Sequence, residues 1–163
     1  MKIAVVFFSP AKSPNVLATQ MVNALSKAGH AVELVSVKAI KESDSKRFFG
    51  LHKKQQLKLV STKTDLSEFD FVLFGSTAEG MMPKRKLPPE MELYLKECRG
   101  IENKRAGVFV ATFGFAGTTP QKMNSLLHMR GVEIFGTKVF SFLLHFSPEQ
   151  LKEAEQFALE SVK

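Results

Sequence analysis

The chain has 163 residues, 44% of them apolar and 24% charged, with a formal net charge of +7; residues 1–163 are expected to form one domain around a single core. No apolar run approaches the ~20 residues that span a bilayer, and Cys98, the single cysteine, excludes an internal disulfide and a cysteine-based metal cluster. Met1 leads straight into a strand-like run rather than a secretory signal, so no membrane and a reducing, cytoplasmic location are the expectation.

KIAVVFF (2–8) is a continuous β-branched and aromatic run closed by Ser9 and Pro10, the pattern of a strand buried on both faces of a parallel sheet. From Pro14 the apolar residues Val16, Leu17, Met21, Val22 and Leu25 recur at helical spacing; Pro14 suits the first helical position and Gly29 the position past the end. HAVELVSV (30–37) alternates and reads as a second strand. In residues 38–68, Phe48, Leu51, Leu57 and Leu59 sit among many lysines and Gly50 interrupts any single long helix; the segment reads as one or two basic helices with loops. DFVLFGS (70–76) repeats the buried-strand pattern, and the aperiodic TAEGMMPKRKLPP that follows is a long loop at a strand's carboxyl end. PPEMELYLKEC (88–98) is a helix entered by proline, and RAGVFVATFG (105–114) is a strand ending in glycine. TPQKMNSLLHMRG (119–131) is a helix with Thr118 or Thr119 as its cap and Gly131 as its terminator. VEIFGTKVFSFLL (132–144) reads as a strand broken by Gly136, and the last helix opens on a capping pattern in which Ser147 is followed by Gln150.

This alternation predicts an α/β, doubly wound, three-layer domain with a five-stranded parallel sheet of order 2-1-3-4-5. Ligands bind such sheets outside the carboxyl ends of the strands where strand order reverses, here between the first and third strands and flanked by the fourth. Three loops meet that condition: SPAKSPN (9–15), GSTAEGMM (75–82) and TFGFAG (112–117). All are rich in small or hydroxyl residues, which let backbone amides approach a ligand closely. The first loop feeds a helix whose leading amides are unpaired and whose dipole favours anions, and Ser9, Lys12, Ser13 and Asn15 add donors, so a phosphate could be held there. Against this, Pro10 and Pro14 remove two amide donors and the loop has no glycine, which leaves a proline-shaped turn as the other reading. Basic residues gather in 41–63 and in PKRK (83–86). They read as a solvated face or as a docking surface for an acidic partner; no nucleic-acid motif accompanies them, and nucleic acid is not expected as a partner.

With these residues in place, the whole chain resembles the flavodoxin-like superfamily, the group that includes flavodoxins and NADPH-dependent FMN reductases. SPAKSPNVLA is similar to the reductase phosphate loop S-P-R-K-x-S-N-T: Ser9, Pro10, Lys12 and Asn15 match, and Ala11, Pro14 and Val16 do not. Against the flavodoxin loop S-x-T-G-N-T only Ser9 is retained. DFVLFGSTAEG resembles the segment in which a strand ends in Gly-Ser-Pro, with Thr77 in place of the proline, and VATFGFAG resembles the third flavin loop.

The resemblance implies FMN, with its phosphate on Ser9, Ala11, Lys12, Ser13, Asn15 and Val16. Its ring would lie between Ser76, Thr77, Ala78, Glu79 and Gly80 on one side and Thr112, Phe113, Gly114 and Gly117 on the other. Flavodoxins often stack Tyr or Trp on the ring; this chain has no Trp and Tyr94 belongs to a helix, so Phe113, Phe115, Met81 or Met82 are the substitutes. The implied function is an electron carrier or a small NAD(P)H-dependent flavin reductase, with a redox protein or NAD(P)H as electron donor and, as in many such reductases, a homodimer. The alternative is a flavodoxin-fold binding or interaction module that has lost its flavin, with Pro14 and Val16 as traces of the loss. Carriers of this type tend to be acidic, and +7 departs from that pattern.

No catalytic acid or base is required by flavin chemistry, and Glu79 reads as an exposed loop carboxylate. His30, His52, His128 and His145 share no ligand spacing, so no metal is expected. Neither G-x-S-x-G nor G-x-x-x-x-G-K-[ST] occurs, which removes the serine-hydrolase and P-loop readings.

Overall fold

A computed structural model describes residues 1–10, 15–42, 56–60, 62–81 and 84–163. Among them the chain runs β1 (Lys2–Phe8), α1 (Asn15–Lys27), β2 (Ala31–Ser36), β3 (Ala39–Glu42), β4 (Gln56–Leu59), β5 (Phe71–Thr77), α2 (Pro89–Glu97), β6 (Arg105–Phe113), α3 (Thr119–His128), β7 (Glu133–Phe142) and α4 (Pro148–Ser161). β2-β1-β5-β6-β7 form one parallel sheet, the expected 2-1-3-4-5 order once the short β3 and β4 are set aside. The uninterrupted apolar runs of β1, β5 and β6 occupy its centre, where helices on both faces exclude water.

Alternate side chains of these strands feed two cores. Ile3, Val5, Phe7, Phe71, Leu73 and Phe109 pack with Leu17, Met21 and Leu25 of α1 and Ala154 and Ala158 of α4. Ala4, Val6, Phe8, Val72, Phe74 and Val108 pack with Met91, Tyr94 and Leu95 of α2 and Met123 and Leu127 of α3. Inside the first core the rings of Phe7 and Phe109 stack at 5.5 Å with only 6° between their planes. They meet over Gly75, whose missing side chain makes the space: a Cβ there would fall 2.1 Å from Phe109 Cζ and 2.5 Å from Phe7 Cδ2.

Four local expectations change. The described part of 38–68 is not helical: β3 and β4 form an antiparallel ribbon in which Ala39 pairs with Leu59 and Glu42 with Gln56. Leu57 and Leu59 are half-buried while Lys58 between them is exposed, a period of two that suits a strand and not a helix. Thr62 closes the base of this ribbon, accepting from the Lys38 amide at 2.9 Å and donating to the Val60 carbonyl at 3.0 Å. Phe48, Gly50 and Leu51 lie outside the described residues.

Gly136 does not break β7, because the pairing slips there: Ala106 faces Ile134 and Gly107 faces Gly136, leaving Phe135 as the extra residue of a bulge. The strand ends at Phe142, and Leu143 and Leu144, read as part of it, stand exposed beyond. Thr118 does occupy the cap position of α3, but its hydroxyl makes no capping bond and reaches the Arg85 carbonyl at 3.4 Å instead. The capping box of α4 forms as expected, with Gln150 N donating to Ser147 Oγ at 3.3 Å and Ser147 N donating to Gln150 Oε1 at 3.0 Å.

A cluster of charges ties β2 to the start of β1. Lys63 Nζ donates to Glu33 at 2.8 Å and to Glu68 at 2.6 Å, and Lys2 also reaches Glu68. Hydrogen bonds from Lys2 and Lys63 bring the Glu68 carboxyl from 4.5 down to about 2. A depressed folded-state value stabilises the fold above pH 4.5, and that stabilisation is lost as pH falls from 4.5 towards 2. The carboxylate faces solvent, so the effect is small and screened by salt. Glu68→Gln is expected to flatten the decline of the urea midpoint across that window at low salt; a decline identical to the wild type would show that the cluster contributes nothing.

Candidate functional site at the sheet reversal

β1 and β5 are hydrogen-bonded neighbours whose following helices leave to opposite faces, α1 into one core and α2 into the other. Topology therefore places the ligand end of the sheet beyond Phe8 and Thr77, alongside the loop after β6. Ser9 is half-buried at the end of β1, and Asn15 and Val16 form the exposed first positions of α1. Ala11, Lys12 and Ser13, with Pro14, lie outside the described residues, as does Met82.

The loop after β5 is a small hairpin. Glu79 N donates to Lys86 O at 2.9 Å and Lys86 N to Glu79 O at 2.8 Å, with Gly80 turning the chain at φ +103°. Ser76, Thr77 and Ala78 at its base are buried. The Ser76 hydroxyl donates to the Thr77 carbonyl at 2.9 Å, while Thr77 Oγ1 is buried with no partner. Glu79, expected as an exposed carboxylate, is half-buried.

The loop after β6 packs directly against this hairpin. Gly117 holds φ +58° with its α-carbon hydrogens against the Arg85 carbonyl, where a Cβ would approach to 2.2 Å. Thr118 N donates to the same carbonyl at 3.2 Å. From the hairpin, Arg85 Nη1 donates to Thr112 Oγ1 at 3.1 Å and to Ala78 O at 3.4 Å, and Thr112 Oγ1 donates onward to Phe115 O at 3.1 Å. Gly114 takes φ +76° and its carbonyl accepts from Ser141 Oγ at 2.8 Å, which joins the end of β7 to the same corner.

The structure thus gathers Ser76, Thr77, Ala78, Glu79 and Gly80 with Thr112, Phe113, Gly114 and Gly117 at one end of the sheet. Of the residues named as ring-stacking substitutes, Phe115 is 73% exposed and Met81 86%, so neither belongs to the core. Phe113 is also exposed and meets Phe142 edge-on at 6.4 Å. Arg85, Thr118 and Ser141 were not named as site residues from sequence, Thr118 having been read only as a helix cap. Arg85 read as one of a run of surface cations, and it turns inward while Lys84 and Lys86 stay exposed.

Cys98 is buried at the end of α2, its thiol pushed up to about 11 by burial and accepting from Arg130 Nη1 at 3.3 Å. No group of three or more His, Cys, Asp or Glu residues able to hold a metal occurs among the described residues, and none of their helices is long and apolar enough to cross a membrane.

A flavodoxin from Streptococcus pneumoniae superposes on this chain with a TM-score of 0.70 at 18% identity, covering 99% of this chain and 98% of its own. A flavodoxin from the domain Archaea gives 0.68 at 16% identity, with 99% and 96% covered. The chain has the flavodoxin fold. The flavodiiron protein from Giardia intestinalis contains the same fold within a longer chain, at a TM-score of 0.67 and 16% identity, with 98% of this chain matching 34% of that one. No protein-family model and no curated protein matches the sequence. In this chain β3 and β4 stand between β2 and β5, where the sequence reads as helical.

Proposed function

We propose that the protein binds FMN at the sheet reversal and serves as an electron carrier or a small NAD(P)H-dependent flavin reductase. The observation that carries this reading is Thr77 Oγ1, a buried hydroxyl without a partner at the base of the β5 hairpin; Arg85 Nε, on the same hairpin, is likewise buried and unpaired. Buried polar atoms are almost always satisfied, and a ligand with hydrogen-bonding edges supplies what the protein lacks here. The solved flavodoxins of the same fold support the choice of flavin.

In this reading Ser9 and the leading amides of α1 at Asn15 and Val16, with Ala11, Lys12 and Ser13, receive the phosphate. Ser76 to Gly80 and Thr112 to Gly117 receive the ring. FMN supplies the redox chemistry when bound. The chain positions it, limits its contact with water through the exposed faces of Phe113, Phe115 and Met81, and offers backbone amides to its polar edge.

Added FMN is expected to bind one to one with quenching of its fluorescence and a shifted visible spectrum. A colourless protein that takes up no added FMN would overturn the reading and leave a flavodoxin-fold interaction module without flavin.

A further inference from the structure

Arg85 lies in the middle of a run of cations, yet its guanidinium is turned away from the surface into the junction of the two ring loops. Nη1 is held by the Ala78 carbonyl at 3.4 Å and the Thr112 hydroxyl at 3.1 Å. Both acceptors are neutral, so they orient the charge without cancelling it. Among the described residues no carboxylate forms an ion pair with it. Nε is buried and has no acceptor. The hairpin from Ala78 to Lys86 carries Lys84, Arg85 and Lys86 against the single carboxylate of Glu79, and the loop from Thr112 to Thr118 carries no charge at all. The guanidinium is a delocalised cation, so this corner holds a positive charge in partly excluded solvent.

We propose that Arg85 makes the site select reduced, anionic FMN over oxidised FMN, so that the bound cofactor has a raised midpoint potential. The inference rests on the FMN reading above. Bound FMN would be reduced to FMNH⁻ by two electrons and one proton, delivered together as a hydride from NAD(P)H or as electrons from a redox protein with the proton from water, leaving the proton on N5 and the negative charge spread over N1 and the C2 carbonyl. A fixed cation at the ring loops favours the right-hand side of that balance, because it attracts a charge that only the reduced form carries. An opposite charge within ~4–6 Å moves a side-chain titration by one to three units, and partial exposure of Arg85 places the expected effect near the lower end, about tenfold. The same sign follows from the chain's net +7.

The test uses the full chain loaded with FMN. Dissociation constants for oxidised FMN are measured by fluorescence quenching, and midpoint potentials by dithionite titration against a reference dye, for wild type, Arg85→Gln and Arg85→Lys. Arg85→Gln is expected to lower the ratio of reduced to oxidised affinity about tenfold, a midpoint about 30 mV more negative. Arg85→Lys, which keeps the charge, is expected to stay within about twofold of the wild-type ratio. If Arg85 only braces the loops, Arg85→Gln weakens both oxidation states alike and the potential does not move; that result overturns the inference and leaves FMN binding standing. Should Arg85→Gln fail to hold FMN, Arg85→Lys decides, since a ratio reduced tenfold despite the retained charge overturns the electrostatic role. A wild-type protein that takes up no FMN overturns the underlying reading and this inference with it.

Discussion

Gly75→Ala is expected to destabilise the domain by about 3 kcal/mol or more, the upper part of the range for overpacking a well-filled core. The new methyl would lie 2.1 Å from Phe109 Cζ, 2.4 Å from Phe109 Cε2 and 2.5 Å from Phe7 Cδ2, far inside contact distance. Neither ring can swing clear: Phe7 and Phe109 are stacked on one another and both are buried. β5 is also paired on both sides, to β1 and to β6, so its backbone cannot retreat without breaking two ladders. Thermal unfolding should fall by roughly 6–12 °C for a chain of this size. The double change Gly75→Ala with Phe109→Leu should recover part of the loss, because the smaller side chain vacates the space the methyl needs. A loss below about 1 kcal/mol for Gly75→Ala in urea denaturation would show that the stacked pair is free to move aside.

The second large effect is at Gly117 and is local rather than global. Alanine at φ +58° costs about 1–2 kcal/mol by itself. Its Cβ would also meet the Arg85 carbonyl at 2.2 Å, and that obstacle is backbone that no rotamer change removes. The hairpin must therefore part from the β6 loop, breaking the bond from Thr118 N to Arg85 O and moving Arg85 away from Thr112. With FMN bound at this corner as proposed, its affinity is expected to drop by roughly ten- to a hundredfold, the equivalent of about 1.4–2.8 kcal/mol, with a fall in thermal midpoint of only a few degrees. Amide exchange at Thr118 and Lys86 should quicken whether or not flavin is present. Unchanged affinity together with unchanged exchange would mean that the two loops are not mechanically joined.

What was legible in the sequence follows from how each element is stabilised. β1, β5 and β6 announce themselves because burial on both faces demands unbroken apolar runs, and the α4 cap because its two hydrogen bonds need particular side chains three residues apart. The three loops at the reversal could be located because strand order alone places them. Their mutual contacts could not. Nothing in PKRK distinguishes Arg85 from its neighbours, since its inward turn is decided by a carbonyl and a hydroxyl seven and twenty-seven positions away. The ribbon of β3 and β4 was misread because each strand spans only Ala39–Glu42 or Gln56–Leu59, too short for a period of two to stand out among lysines. Thr118 shows the same lesson in small: residue type named the cap position, but a tertiary acceptor claimed the hydroxyl.

The closed base of that ribbon has a practical corollary. Lys38, Val60 and Thr62 clasp the two strands of the ribbon at its base, and Leu59 packs the ribbon against the core beneath α2 and α3. Doubling the length of an excursion from such a base costs only about 0.6 kcal/mol of closure entropy. Because Val37 N donates to Phe7 O at 2.9 Å, that base stands at the carboxyl end of the sheet, the same end as the loops at the reversal, so an insertion in the ribbon is made beside those loops and not remote from them.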